Sequence, residues 1–265
     1  MTPTLPSDEN PDTRLHSIVL FFILAFALTW GTSYVLGRTV GGATTTLAFI
    51  LSFLPAFGPF FAAMIVYSLT EGSTGLHHLF SQFIKFRVQI KWYLFAFFIP
   101  ILVYFTQRTI GALFHSPISN PFLNINWDAI NLLFIINLFV GGGIAEEPGW
   151  RGYATPKLDA KYGPMITSIV VGIGWAFWHF PLYLNGSRPL SSFYQFLIAV
   201  IALSFIYTWL YINTQSLPIV IIFHFMHNIA LALFYDISSP IFGGLIYSVV
   251  AVVLIIIYGS GLKKS

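Results

Sequence analysis

The sequence contains no cysteine. Disulfides, thiolate metal sites and cysteine nucleophiles are excluded together. Charge is nearly as scarce. Asp, Glu, Lys and Arg make up 8% of the 265 residues, about a third of what a soluble domain carries. A nucleic-acid-binding face is excluded as well, because the net charge of +3 is scattered among apolar runs. The first residues, Met1 to Arg14, are polar and acidic, and lack the basic start and small-residue cleavage site of a signal peptide. No internal repeat is visible, which removes the usual sequence argument for a secondary transporter. There is no soluble domain and no long linker.

What fills the chain instead is hydrophobic, 57% of all residues. About twenty apolar residues carry a helix across the hydrocarbon core. Eight stretches meet that requirement: Ser17 to Gly37, Thr46 to Leu69, Trp92 to Leu113, Ala129 to Ala145, Met165 to Leu184, Phe193 to Asn213, Leu217 to Tyr235 and Ile241 to Gly259. Strands of a membrane barrel would alternate apolar and polar residues, whereas these runs are apolar on every face. The expectation is an all-α polytopic membrane protein with about eight transmembrane helices. Residues 1–16 form a cytoplasmic tail, and residues 17–260 form one helical domain with a catalytic core at about 130–233. Between the second and third spans, Leu76, Leu79, Phe80, Phe83 and Ile84 recur at helical spacing before Lys85 and Arg87. That pattern predicts a helix lying on the membrane surface.

Eight spans place both termini on one side. With the N-terminus inside, the inner face carries nine basic residues and the outer face three, Arg38, Arg108 and Arg188. Inward loops retain Lys and Arg, so the expected location is the cell membrane with both termini cytoplasmic.

Polar residues that are costly to bury carry the information in such a chain. They form three clusters. Glu146 and Glu147 are adjacent, so their charges repel and at least one carboxyl is expected to hold its proton more tightly, as a general acid or base requires. Arg151 stands one helical turn beyond Glu147 and can pair with it. Pro148 is expected to bend or end the helix just after the pair. The second cluster is His179, set among Trp175, Phe177, Trp178 and Phe180. In the third, His224 and Asn228 share a helix face and can donate two hydrogen bonds to an oxyanion; His227 shares that face or turns away. Each cluster also has a plain structural reading: a helix end reaching the headgroups, a packed core histidine, and polar residues joining helices.

In order, the residues read Glu146-Glu147-xxx-Arg151, Trp175-xxx-His179 and His224-xxx-Asn228. This series resembles the CAAX-protease and bacteriocin-processing family of intramembrane proteases, which includes the type II CAAX prenyl endopeptidases. The wording EEPGWRGYATPKL and WAFWHFPLYL, and Gly58-Pro59 with Ala62, resemble bacterial members. Trp175 stands where the family more often has Phe, an expected change of packing rather than of chemistry. The resemblance implies that Glu146 activates water with His179 as proton partner. It implies too that His224 and Asn228 stabilise the oxyanion, while Glu147 and Arg151 support the site.

The family is often labelled metalloprotease. A divalent metal such as zinc would draw its ligands from Glu146, Glu147, His179 and His224, whereas a metal-free glutamate mechanism uses the same residues. There is no HExxH. The implied partners are membrane lipid and a peptide or protein substrate, lipidated or not, with no nucleic acid. A non-catalytic peptide-binding or bacteriocin-immunity protein, and an ion- or proton-coupled transporter, stay open beside the peptidase. One tension follows from the span boundaries. Glu146 closes the fourth span at its inner end, and His179 lies about fourteen residues into the fifth, roughly 20 Å away in depth.

Overall fold

The computed structural model describes residues 11–39, 45–115, 134, 142–234 and 240–263. Its helices are α1 (Pro11–Thr39), α2 (Thr46–Leu51), α3 (Gly58–Ser81), α4 (Ile90–His115), α5 (Gly143–Gly149), α6 (Thr155–Trp178), α7 (Pro181–Leu184), α8 (Phe193–Thr214), α9 (Leu217–Phe234) and α10 (Pro240–Tyr258). No strand occurs among the described residues. Five helical stretches are long and apolar enough to cross a membrane, and two shorter apolar helices, Leu217–Leu233 and Gly244–Tyr258, accompany them. The protein is an all-α polytopic membrane protein.

Its surface is inverted relative to a soluble fold. Val19, Ile23, Phe98, Leu102, Val253 and Ile256 face outward, while Glu147, Arg151, Gln82 and Lys157 are buried inside. With lipid as the solvent, apolar groups have no reason to leave the surface, and polar groups must find one another in the interior.

Two glycine reversals organise the bundle. At Gly72 (φ 61°, ψ −141°) the chain turns back on α3. Only a residue without a Cβ takes this backbone readily. The returning arm packs along the descending one, with Tyr67 against His78 and Phe60 against Phe80 and Phe83. The segment expected as a surface helix is helical, but it folds back against α3 instead of standing apart. At Gly163 (φ 74°, ψ 169°) a second reversal divides α6. The arms on its two sides run antiparallel, because Glu146 and Arg151 both meet Trp175 and Trp150 meets Trp178.

The second reversal adds a pass where no span was expected. Most of the expected fourth span, Ala129 to Ala145, lies outside the described residues. A descending pass runs from Gly143 to Tyr162, through a π-helical turn at Trp150–Ala154. Pro148 does not end it. This pass escaped the hydropathy reading because it carries Arg151, Lys157, Asp159 and Lys161. Burial of the first two is supported by Glu147 and Glu71, which pair with them. Glu146 and His179 are then seventeen and sixteen residues from Gly163, hence at matching depth on adjacent arms. The depth tension disappears.

Proline and glycine fix the seat of this pass. Pro156 has no N–H for the Gly152 carbonyl four residues earlier. Tyr67 and Gln82 both donate to that carbonyl, at 3.2 Å each, and Tyr211 donates to Gln82 in turn. A Cβ on Gly149 would stand 2.4 Å from the Pro59 carbonyl oxygen, and one on Gly58 would overlap Thr29. The Gly58-Pro59 pair is therefore the surface on which α1 and α5 close.

Candidate active site

The π turn sets the phase of the helix around the acidic pair. Glu146 and Glu147 leave it in different directions and meet different partners. Glu147 is fully buried and points into the bundle. Its Oε1 accepts from Arg151 Nη1 at 3.1 Å and from His224 Nδ1 at 2.6 Å. Since the guanidinium donates to the same oxygen, Oε1 is an acceptor and Nδ1 of His224 carries the proton. The expected Glu147–Arg151 pairing across one turn is observed. Arg151 is also fully buried, with its guanidinium over the Tyr207 ring at 4.0 Å and the Trp175 ring at 4.6 Å. Two aromatic faces and a carboxylate replace the water that this cation has lost.

Glu146 turns the other way, toward a cavity. Its Oε2 accepts from the Trp175 indole N–H at 2.6 Å, and Oε1 is left for a water or substrate. The expectation that Trp175 differs from Phe only in packing is corrected here. Phe has no N–H, so the indole supplies a charge-assisted hydrogen bond to the carboxylate that Phe cannot make.

His179 stands at the C-cap of α6. Its Nδ1 lies 3.0 Å from the Trp175 carbonyl oxygen. A carbonyl only accepts, so Nδ1 bears the proton and Nε2 presents a lone pair. The histidine is held on an aromatic bed of Trp178 and Phe196. On α9, His224 and Asn228 lie one turn apart and both reach the cavity. His227 turns away, with its Nδ1 3.0 Å from the Tyr247 hydroxyl and its ring beside Tyr104. The open question about its face is settled by these two tyrosines.

Glu146, His179, His224 and Asn228 line one cavity of about 540 Å³, together with Gly142, Thr29 and apolar groups that include Phe53, Pro55 and Leu231. Gly142 sits at φ 100°, and a Cβ there would be 2.3 Å from His224 Nε2. The glycine keeps that nitrogen open to the cavity. Beside the site, the buried Arg151, Trp175 and Tyr207 pack on one another.

Three of these residues are not legible as site residues in the sequence. Trp175 carries an indole donor, but nothing local shows that a carboxylate meets it. Gly142 has a positive φ, which has no signature beyond glycine itself. Tyr207 carries no local signal in an apolar helix.

The four metal candidates do not form a ligand set. Among the described residues no three His, Asp or Glu side chains are grouped to hold an ion. Glu147 is turned into Arg151 and His224, and one oxygen of Glu146 is taken by Trp175.

Fold and site together define a polytopic membrane protein with a buried carboxylate–histidine centre. A family model described as Type II CAAX prenyl endopeptidase Rce1-like matches residues 128–230, the stretch that holds all three motifs. CAAX prenyl protease 2 of Methanococcus maripaludis is 36% identical over 111 residues, which is 38% of this chain and 40% of that relative. The shared segment thus spans about two fifths of the curated relative's length. These similarities bear out the family resemblance read from the motifs, over the segment that carries them.

Proposed function

We propose that this protein is an intramembrane endopeptidase that hydrolyses a peptide bond of a membrane-associated peptide or protein. The observation that carries the reading is the convergence of Glu146, His179, His224 and Asn228, from three separate helical segments, on one cavity. A water between Glu146 and His179 has two acceptors, Oε1 of the carboxylate and Nε2 of the imidazole. As its oxygen attacks the carbonyl carbon, one proton passes to Glu146. The carbonyl π electrons move to oxygen, and the resulting oxyanion is met by the Asn228 amide and by His224 Nε2–H.

That last donor is present when both ring nitrogens of His224 carry protons. Collapse of the tetrahedral adduct breaks the C–N bond, and the proton held by Glu146 goes to the amine that leaves. Glu147 and Arg151 act on His224 and Trp175 and do not touch the reacting atoms.

Purified protein incubated with a peptide library should cleave, and Glu146→Ala and His179→Ala should each abolish cleavage. Full activity in either variant would remove the assignment.

A further inference from the structure

Helix α6 ends at Trp178, and its last turn tightens as it ends. The His179 N–H reaches three residues back, to the Ala176 carbonyl at 3.1 Å, and Phe180 reaches likewise to Phe177. Pro181 has no N–H, and the Leu182 N–H is given to the His179 carbonyl at 3.0 Å. Neither helical donor, three or four residues on, thus serves the Trp178 carbonyl. A carbonyl at a helix end needs a partner from elsewhere. Here it is Trp30 on α1, whose indole Nε1–H donates to that oxygen at 3.0 Å.

The Trp178 carbonyl and the His179 N–H belong to one planar peptide group. Trp30 holds one edge of that plane, and the Ala176 carbonyl holds the other. Thr29, the neighbour of Trp30, holds the Trp178 side chain. Its Oγ1 accepts from the Trp178 indole at 2.7 Å and donates to the Pro55 carbonyl at 2.8 Å. The one hydroxyl proton is committed to Pro55, so Thr29 has none to give a substrate. The Trp178 ring stands edge-on to the His179 imidazole, with centroids 4.6 Å apart and planes at 89°. Gly58 leaves room for this arrangement, since a Cβ there would overlap the Thr29 hydroxyl.

We propose that Thr29 and Trp30 are positioning residues for His179. Through Trp178 they fix the peptide plane and the ring direction that keep Nδ1 on the Trp175 carbonyl and leave Nε2 open for the attacking water. The part played in water activation rests on the peptidase reading; the placement of the imidazole rests on the hydrogen bonds alone.

Thr29→Ala and Thr29→Ser differ only by the hydroxyl, and Trp30→Phe keeps an aromatic ring while deleting its N–H. In hydrolysis corrected for folded protein, Thr29→Ala and Trp30→Phe should each lower kcat about tenfold, with KM within about twofold of the parent. Thr29→Ser should return kcat to within about threefold. Trp178→Phe already deletes the donor that meets Thr29, so adding Thr29→Ala to it should lower kcat less than about twofold further.

A second readout needs no cleavage. The full chain in detergent, labelled with nitrogen-isotope histidine, shows the His179 ring by magnetic resonance at a pH where imidazole is neutral; His179→Gln assigns the signal. The parent and Thr29→Ser should show the Nδ1-protonated tautomer alone. Thr29→Ala and Trp30→Phe should show both tautomers, as an imidazole released from the Trp175 carbonyl does. An unchanged His179 spectrum in both of these variants overturns the inference, and so does a parental kcat in both. A protein that shows the tautomer change but cleaves nothing keeps the positioning role and loses the peptidase reading. One that cleaves, with variants equal to the parent in rate and spectrum, keeps that reading and loses the positioning role.

Discussion

Glu147→Gln and Glu146→Gln are the same chemical change at adjacent positions, and the structure assigns them opposite consequences. Glu147 is fully buried and holds both Arg151 and His224 through one oxygen. An amide of the same shape keeps an acceptor but removes the charge. Arg151, itself fully buried, is left as an uncompensated cation. Breaking a buried pair in this way costs about 3–5 kcal/mol. For a chain of this size that lowers the unfolding temperature by roughly 6–20 °C. Glu146 faces a cavity, and its partner is a donor, Trp175 Nε1, which a glutamine oxygen can still accept. Its amide variant should stay within about 1 kcal/mol of the parent in stability. Cleavage, by contrast, should fall by about 10²–10⁴-fold, since the base is gone. The assay pairs thermal unfolding in detergent with peptide hydrolysis corrected for folded protein. A Glu147→Gln protein melting within 2 °C (roughly 1 kcal/mol) of the parent would refute the charge-pairing argument. Equal destabilisation by both substitutions would refute the claim that the two carboxylates face different surroundings.

Two further outcomes are expected. Trp175→Phe deletes the hydrogen bond to Glu146 but keeps an aromatic face for Arg151; losing a charged hydrogen bond worth about 1.5–3 kcal/mol should slow hydrolysis roughly 10- to 150-fold. Steady-state kinetics alongside a melting curve would show whether the loss falls on turnover, as expected for a positioning residue, or on stability. His227→Ala breaks the contact with Tyr247 and should cost about 1–3 kcal/mol of stability. Cleavage per folded molecule should stay within about threefold of the parent, whereas His224→Ala should abolish it; comparable losses in both would contradict the assigned facing of the helix.

Much of this protein is legible in its sequence. Apolar run length gives the helical membrane class because the bilayer imposes a thickness that composition must meet. The three motifs give the candidate site because ionisable groups among apolar helices are too costly to be incidental. The pairing of Glu147 with Arg151 follows from one turn of helix, and the common face of His224 and Asn228 from the same rule. What only the tertiary structure decided is that residues 143–162 form a pass and what surrounds the acids. Residues 143–162 carry four charged side chains after Glu147 and do not look like a span. Two of them, Arg151 and Lys157, are buried because Glu71, Trp175 and Tyr207 arrive from elsewhere to receive them, with Glu147 one turn away beside Arg151. Hydropathy measures a residue against solvent and has no term for partners distant in the chain. The reversal at Gly163 then brings His179 back to the depth of Glu146, and Trp175 becomes a hydrogen-bond donor to that carboxylate as well as a packing residue.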